Sequence, residues 1–195
     1  MPESFGLELV RIAYLFFPLL GSAIFLGMCL RFGWLQTFNR PIDFHLRFRN
    51  QRIFGENKTF RGLLGMGIGG SLFAVLQRQV LHRYHWLASL EYFDYSATSP
   101  LLFGFCLGLA GSLSELLNSF VKRQLGIEPG KRANGNQRGL FYFIDQVDVL
   151  VGVWLYLSTI MQVTSIRVMA SIVLVFITHQ LLTTAGYTLR MRKNP

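Results

Sequence analysis

The chain has 195 residues, of which 51% are hydrophobic and only 15% are charged, and its mean hydropathy is +0.37. A soluble domain of this length needs more polar surface than this composition supplies, so we predict a membrane protein. The net charge of +9 comes from basic residues between apolar runs, which indicates lipid headgroups and phosphorylated ligands as partners and argues against nucleic acid.

A membrane-spanning helix needs about 20 mostly apolar residues. Five segments meet or approach this length, so the sequence predicts an all-α integral membrane protein with a single transmembrane domain over residues 1–195. The first segment is long enough to tilt and contains Pro18 as a candidate kink, and the fourth segment is short. The predicted spans are residues 9–35, 62–81, 100–117, 147–161 and 168–189.

The distribution of Lys and Arg predicts the orientation of these spans. With five spans, the segments 36–61 and 119–142 and the C-terminal tail lie on one side, and they carry most of the basic residues. The positive-inside rule then places the N-terminus outside and the C-terminus in the cytoplasm. The chain is therefore expected to be integral to the cytoplasmic membrane, with cytoplasmic loops at about 36–61 and 119–142. The outside segment 77–99 mixes aromatic and charged residues and is expected to form an interfacial helix.

Three polar patches fall on the predicted cytoplasmic side. The first, RIFGENKTFRGLLG, places Lys58 and Arg61 three residues apart at the start of the second span. One interpretation is anchoring of the helix end at the membrane surface, where long basic side chains reach the headgroups. The alternative is binding of an anionic ligand, for which Gly55 and Gly62 would let the backbone approach closely.

The second patch is SLSELLNSFVKRQLGIEPG. Glu115, Ser119 and Lys122 follow at spacings of four and three, so they share one face of a continuing helix, with Arg123 beside them. A carboxylate inside a membrane span normally marks a functional site or a buried pair. A network in which these side chains only satisfy one another is the alternative. The residues that end this helix and begin a loop able to close over a ligand are Gly126, Pro129 and Gly130.

The third patch is FYFIDQVDVLVGVWLYL. Asp145 and Asp148 are three residues apart, so a helix presents both on one face, with Gln146 beside them. Two carboxylates this close raise each other's pKa unless a cation lies between them. Mg²⁺ fits, because it prefers a few carboxylates, water and phosphate oxygens. Pairing with Lys or Arg from the other two patches is the alternative, and the two interpretations are compatible.

Together the patches offer carboxylates, several cations and a hydroxyl in one predicted polar cavity that faces the cytoplasm. This combination is typical of phosphoryl or nucleotidyl transfer, in which the protein positions phosphates and neutralises their charge. A transporter is less consistent with it, because its ionisable residues should lie near the midplane of the membrane.

The motifs FGENKTFRG, SFVKRQLGIEPG and DQVD, followed by Gly152, resemble the CDP-archaeol synthase family of membrane cytidylyltransferases. The resemblance extends from PIDFHLRFRNQRIFG to HQLLTTAGYTLRMRKNP, in the order found in the family. It implies a five-span α-helical enzyme that joins CTP to a lipid phosphate with Mg²⁺ and gives a CDP-lipid and pyrophosphate. The implied partners are CTP, a lipid phosphate and membrane lipids, and a homodimer is left open.

The resemblance also implies roles for individual residues. The residues expected to act in catalysis are Lys58, Arg61, Lys122, Arg123, Asp145 and Asp148. The residues expected to hold the metal are Glu115, Asp145 and Asp148. The residues expected to bind substrate are Asn57, Thr59, Ser119, Gly126, Gly130 and Gln146.

The chain departs from the family pattern in its second motif. Ser114 and Glu115 stand where the family usually has Gly-Asp, and Asn118 stands where a lysine is common. A glutamate keeps the carboxylate but moves it by one methylene, and the geometry of a metal site is sensitive to such a shift. These changes motivate two alternative functions. One is a membrane protein that binds a phospholipid or nucleotide without turning it over, and the other is a CTP-dependent lipid kinase that releases CDP.

Overall fold

The structure is a computed structural model that describes residues 4–93, 98–129 and 137–188. These residues form α-helices and one short hairpin, with 3₁₀ turns at Gln36–Phe38 and His85–Leu90. The elements are α1 (Phe5–Leu15), α2 (Phe17–Phe32), β1 (Arg47–Phe48), β2 (Gln51–Arg52), α3 (Phe60–Arg83), α4 (Pro100–Gln124), α5 (Gln137–Leu157) and α6 (Ser165–Thr188).

The helices are those of an α-helical membrane protein. Within the described residues, α3, α4 and the Gly139–Leu157 part of α5 are long and apolar enough to cross a membrane. Helices α1 and α2 make a fourth candidate if they are taken as one span bent by 43°. The break lies at Phe16, next to Pro18 in the first turn of α2. The apolar part of α6, Ser165–Thr178, is shorter, so five spans and their orientation stay predictions.

Several helix boundaries differ from the expected ones. Helix α5 begins at Gln137, well before the predicted span at residue 147, because the apolar residues before Asp145 continue the helix. Helix α4 extends beyond residue 117 to Gln124, as the shared face of the second patch requires. The expected interfacial helix over 77–99 does not form in its described part. There, α3 continues to Arg83 and only the 3₁₀ turn follows.

Small residues allow α3, α4 and α5 to pack closely. A Cβ atom at Gly70 would overlap the carbonyl oxygen of Gly104 on α4, and one at Gly152 on α5 would overlap that of Ala110. The hydroxyl of Ser114 strengthens the second contact by donating to the carbonyl of Asp148 at 2.6 Å. Close approach through small residues and interhelical hydrogen bonds stabilises helix pairs in lipid. Consequently the start of α3, the end of α4 and the two aspartates of α5 lie together.

The apolar core lies between α1, α3, α4, α5 and α6. Its most deeply buried members are Ile12, Leu15, Phe16, Ala74, Phe103, Leu107, Val153, Leu157 and Ala170. A separate polar cluster joins α1 and α6 to the segment after α3. There the hydroxyl of Tyr92 donates to the buried carboxylate of Glu8, and the guanidinium of Arg167 lies 4.4 Å from the Tyr92 ring centre. This cluster ties the helices together away from the polar patches.

Candidate active site

The loop before α3 is organised around the buried carboxylate of Asp43. Arg52 donates to it at 2.6 and 3.2 Å, and the backbone N–H groups of His45, Phe54 and Gly55 donate at 3.1, 3.1 and 3.0 Å. Burial alone would raise the pKa of Asp43. The hydrogen bonds from Arg52 and the backbone lower this pKa by a larger amount, so it lies well below the usual range. The carboxylate therefore stays ionised and holds the loop in one conformation.

The backbone next to Lys58 is held by a second set of bonds. Ile42 donates its N–H to the carbonyl of Lys58 at 2.9 Å, and Phe60 donates to the carbonyl of Arg40 at 3.1 Å. The hydroxyl of Thr59 accepts from the N–H of Gly62 at 3.2 Å and caps α3. Lys58 therefore leaves a fixed backbone at the helix start.

Two lysines form ion pairs with carboxylates across this end of the bundle. The ammonium group of Lys58 lies 2.5 Å from the carboxylate of Glu115 on α4. Lys122 lies seven residues after Glu115, about two helical turns further along α4. Its ammonium group contacts both carboxylate oxygens of Asp145 at 2.5 and 2.6 Å. All four side chains are partly exposed, so a ligand entering from solvent can compete for them.

Asn118 lies between the two aspartates of α5. Its side-chain nitrogen donates to Asp145 and to Asp148, at 2.7 Å in both cases. One nitrogen therefore occupies the point on which both carboxylates converge. The carbonyl oxygen of the same amide is buried and accepts no hydrogen bond from the described residues.

These groups surround a polar cavity of about 460 Å³. The loop before α3 closes one side, where Gly55, with φ 97°, lies so close to Pro129 that a Cβ atom would come within 3.0 Å of the proline ring. The residues that line the cavity are Phe54, Asn57, Lys58, Glu115, Asn118, Ser119, Lys122, Arg123, Pro129, Asp145 and Asp148. The three predicted patches thus meet in one site.

An apolar groove of about 530 Å³ opens beside the polar cavity. It runs between α4 and α5, and Asn118 and Asp148 line both spaces. Along the helices it continues into a further groove that shares Ser114, Leu117 and Val151 and reaches Thr159. The site therefore has a charged side and an apolar side that meet at Asp148.

Most of the predicted site residues come together, but several do not. The Arg61 side chain is buried and points away from the cavity, where it donates to the carbonyl of Cys29 near the end of α2. Thr59 acts as a helix cap, and Gly126, with φ 74°, lies in the turn after α4. Gln146 is buried and lines a smaller cavity of about 210 Å³ on the other side of the carboxylates. Gly130 lies outside the described residues.

The three predicted metal ligands, Glu115, Asp145 and Asp148, all line the polar cavity. Among the described residues, no three His, Cys, Asp or Glu side chains are grouped so that they could hold a metal ion. Glu115 is paired with Lys58, while Asp145 and Asp148 converge on the side-chain nitrogen of Asn118. The two aspartates supply carboxylate oxygens of the kind that Mg²⁺ prefers.

Two functional residues were missed among the candidates chosen from the sequence. Asn118 is three residues after Glu115 and four before Lys122, so the helical spacing could have placed it on the same face. Asp43 gave no such signal, because its partner Arg52 is reached only through a turn that the spacing does not reveal.

Known proteins resemble this chain over most of its length. The sequence model of the CarS-like CDP-archaeol synthase family matches residues 12–195. The chain belongs to the CDP-archaeol synthase family. It is 31% identical over 157 residues to the CDP-archaeol synthase of Thermofilum pendens, which covers 80% of this chain and 65% of that protein. It is 29% identical over 163 residues to the CDP-archaeol synthase of Methanoregula boonei, and this match covers 80% of this chain and 88% of that protein.

A shorter match and a solved structure complete the comparison. The chain is 38% identical over 96 residues to the CDP-archaeol synthase of Pyrococcus furiosus, which covers 49% of this chain and 52% of that protein. A solved structure described as an intramembrane enzyme for archaeal membrane lipid biosynthesis superimposes with a TM-score of 0.60 at 24% identity. That match covers 88% of this chain and 92% of the other, so this family member shares its fold.

Proposed function

We propose that this family member transfers CMP from CTP to a lipid phosphate and releases a CDP-lipid and pyrophosphate. The observation that carries the proposal is the junction at Asp148, where a cavity lined by Lys58, Lys122 and Arg123 meets an apolar groove. A reaction between a triphosphate and the phosphate of a lipid needs both surfaces within reach of the same reacting atoms. A soluble acceptor would have no use for the groove.

In the proposed reaction, an oxygen of the lipid phosphate forms a bond to the α-phosphorus of CTP. The bond from that phosphorus to the oxygen bridging to the β-phosphorus breaks, and pyrophosphate leaves with the electron pair. A phosphate monoester is already anionic near neutral pH, so no strong general base is required. Lys58 and Lys122 each contact a carboxylate, and each would also contact the triphosphate. Their positive charges would then stabilise the departing pyrophosphate.

Asp145 and Asp148 would hold a divalent cation, with Mg²⁺ as the expected ion. When bound, the cation neutralises charge on the phosphates and polarises their oxygens. The aspartates contribute by converging on one point and by fixing that point against α4 through Asn118. Arg123 lines the same cavity, with its guanidinium anchored to the carbonyl of Ile127.

We further propose that the site faces the cytoplasm of a cell whose cytoplasmic membrane the chain spans. The basic residues of the loop before α3 and of the end of α4 lie on the side of the polar cavity, and positive-inside bias assigns that side to the cytoplasm. CTP would then reach the cavity from solvent, and the acceptor would enter laterally through the groove between α4 and α5.

The test is turnover by the purified protein in detergent. Pyrophosphate release would be measured with CTP, Mg²⁺ and a panel of lipid phosphates that differ in chain type, beside an Asp145→Asn variant. The proposal expects release that depends on both substrates and falls at least about 100-fold in the variant. Equal release by the wild type and the variant, or none with any lipid phosphate, would refute it.

The pairing of Lys58 with Glu115 favours one further candidate function, a protein that binds its ligand without turnover. Glu115 stands where the family has aspartate and reaches Lys58 at 2.5 Å. A Glu115→Asp variant separates the two functions. Turnover that appears or increases in this variant supports an enzyme, whereas bound nucleotide without turnover in both versions supports a binder.

A further inference from the structure

The side chain of Asn118 is satisfied on one side only. Its nitrogen donates to Asp145 and Asp148 at 2.7 Å each, while its carbonyl oxygen is buried and has no partner in the part of the chain that the structure describes. Leaving a buried acceptor unpaired costs about 1–3 kcal/mol. This orientation of the amide stabilises the two carboxylates when nothing else lies between them, but it leaves the amide oxygen unpaired.

Turning this amide by half a rotation exchanges its oxygen and nitrogen, which have nearly the same size and shape. The oxygen would then face the same point as the two carboxylates. Three oxygens facing one point repel each other, unless a cation occupies that point. With a divalent cation present, the same three oxygens become ligands of the type that Mg²⁺ and Mn²⁺ prefer.

We propose that Asn118 is the third protein ligand of a divalent cation, and that its amide turns when the cation binds. The inference rests on the proposed function, which requires the cation. It goes further because it replaces Glu115 by a neutral side chain in the ligand set. It also assigns Asn118 two states, a hydrogen-bond donor to the aspartates without the cation and a ligand with it.

The neighbouring charges are consistent with this exchange. Lys122 holds both oxygens of Asp145 through its ammonium group, and it is itself largely covered, with 17% of its side chain exposed. A cation that takes over Asp145 releases this lysine toward the cavity that it lines. Cation binding would therefore prepare Lys122 to meet the phosphates.

The first experiment measures Mn²⁺ binding by electron paramagnetic resonance in detergent, without nucleotide or lipid. Asn118→Leu keeps a similar volume but removes the oxygen, and we expect the dissociation constant to rise at least about tenfold. Asn118→Asp keeps an oxygen and should bind at least as tightly as the wild type. Asn39→Leu is the matched control, since Asn39 is exposed and does not line the cavity, and its binding should not change.

The second experiment introduces a soft ligand at the same place. Asn118→Cys should favour Cd²⁺ over Mn²⁺ and give a thiolate-to-cadmium absorption band that is missing from the wild type, which carries only Cys29 and Cys106. Replacing Asp145 by asparagine in the same variant should abolish the band. The band would report that a side chain at position 118 reaches a cation held by Asp145.

Two outcomes would overturn the inference. One is Mn²⁺ binding by Asn118→Leu that equals the wild type, and the other is no cadmium band in Asn118→Cys. If Asn118→Leu does not fold, Asn118→Asp decides: Mn²⁺ should raise its melting temperature at least as much as that of the wild type, and a smaller rise would overturn the inference. Absence of turnover with all of these metal results as expected would overturn the proposed reaction and leave the ligand assignment standing.

Discussion

Replacing Asp43 by asparagine should loosen the loop that presents Lys58. The Asp43 side chain is fully buried, and Arg52 donates to it at 2.6 and 3.2 Å while Phe54 and Gly55 donate backbone N–H groups. Asparagine keeps one oxygen but places an N–H group against one set of these donors. Arg52 then loses its closer and buried ionic partner and keeps only the exposed Glu56 at 3.8 Å.

The size of the effect follows from the burial of the pair. Removing one partner of a buried ion pair costs about 3–5 kcal/mol, and the lower end applies here because 18% of the Arg52 side chain is exposed. Since about 1.4 kcal/mol corresponds to a factor of ten, opening of the loop should become about 100-fold more frequent. The KM for CTP should rise, because Lys58 is held less firmly.

Hydrogen exchange of the purified protein, followed by mass spectrometry, measures this opening directly. In Asp43→Asn the amides of Phe54 and Gly55 should exchange about 100-fold faster. Glu56→Gln is the matched control, because Glu56 is 77% exposed at 3.8 Å from Arg52 and such a pair contributes about 0–1 kcal/mol. Unchanged protection of Phe54 and Gly55 in Asp43→Asn would show that the carboxylate does not organise the loop.

Three further predictions concern pH, the groove and helix packing. The pKa of Asp43 is lowered in the folded protein, so this carboxylate should stabilise the loop fully at any pH above its ordinary pKa of 3.8. As the pH falls below 3.8 the stabilisation should be lost, and the loop amides should exchange faster after correction for their intrinsic rates. Leu117→Trp should raise the KM for the lipid acceptor about tenfold and leave the KM for CTP unchanged, because Leu117 lines the groove. Leu72→Trp, on an exposed part of α3 outside the groove, should change neither KM. If both variants changed the KM for the lipid equally, the groove would not be the acceptor site. Gly70→Ala should destabilise the protein by about 1–3 kcal/mol, measured as a lower melting temperature in detergent. Gly27→Ala should not lower the melting temperature, because there is open space around Gly27.

The helical face of α4 could be predicted from the sequence, but its partners could not. The spacing of Glu115, Ser119 and Lys122 placed them on one side, and all three line the cavity. The choice of Lys58 for Glu115 and of Asp145 for Lys122 depends on how three helices cross, which spacing within a single helix does not encode. The sequence analysis included the pairing of Lys122 with Asp145 only in its alternative for the third patch, in which the aspartates pair with Lys or Arg from the other two patches.

Arg61 shows the same limit from the other direction. It lies three residues after Lys58 and was expected to point to the same ligand. In the structure, Arg61 instead donates to the carbonyl of Cys29, in the last turn of α2, where the helix dipole favours a positive charge. The loop around Asp43 was unpredictable for a different reason. Its turns use positive φ at Phe44 and His45, where no glycine announces them.

The most direct test of the account follows the two ends of CTP separately. With CTP labelled at the α-phosphate in one sample and at the γ-phosphate in another, the wild type should transfer only the α-label to the lipid phosphate. Asp148→Asn should lower this transfer at least about 100-fold, because Asp148 lies where the polar cavity meets the groove. Transfer of the γ-label to the lipid, or undiminished α-transfer by Asp148→Asn, would contradict the account.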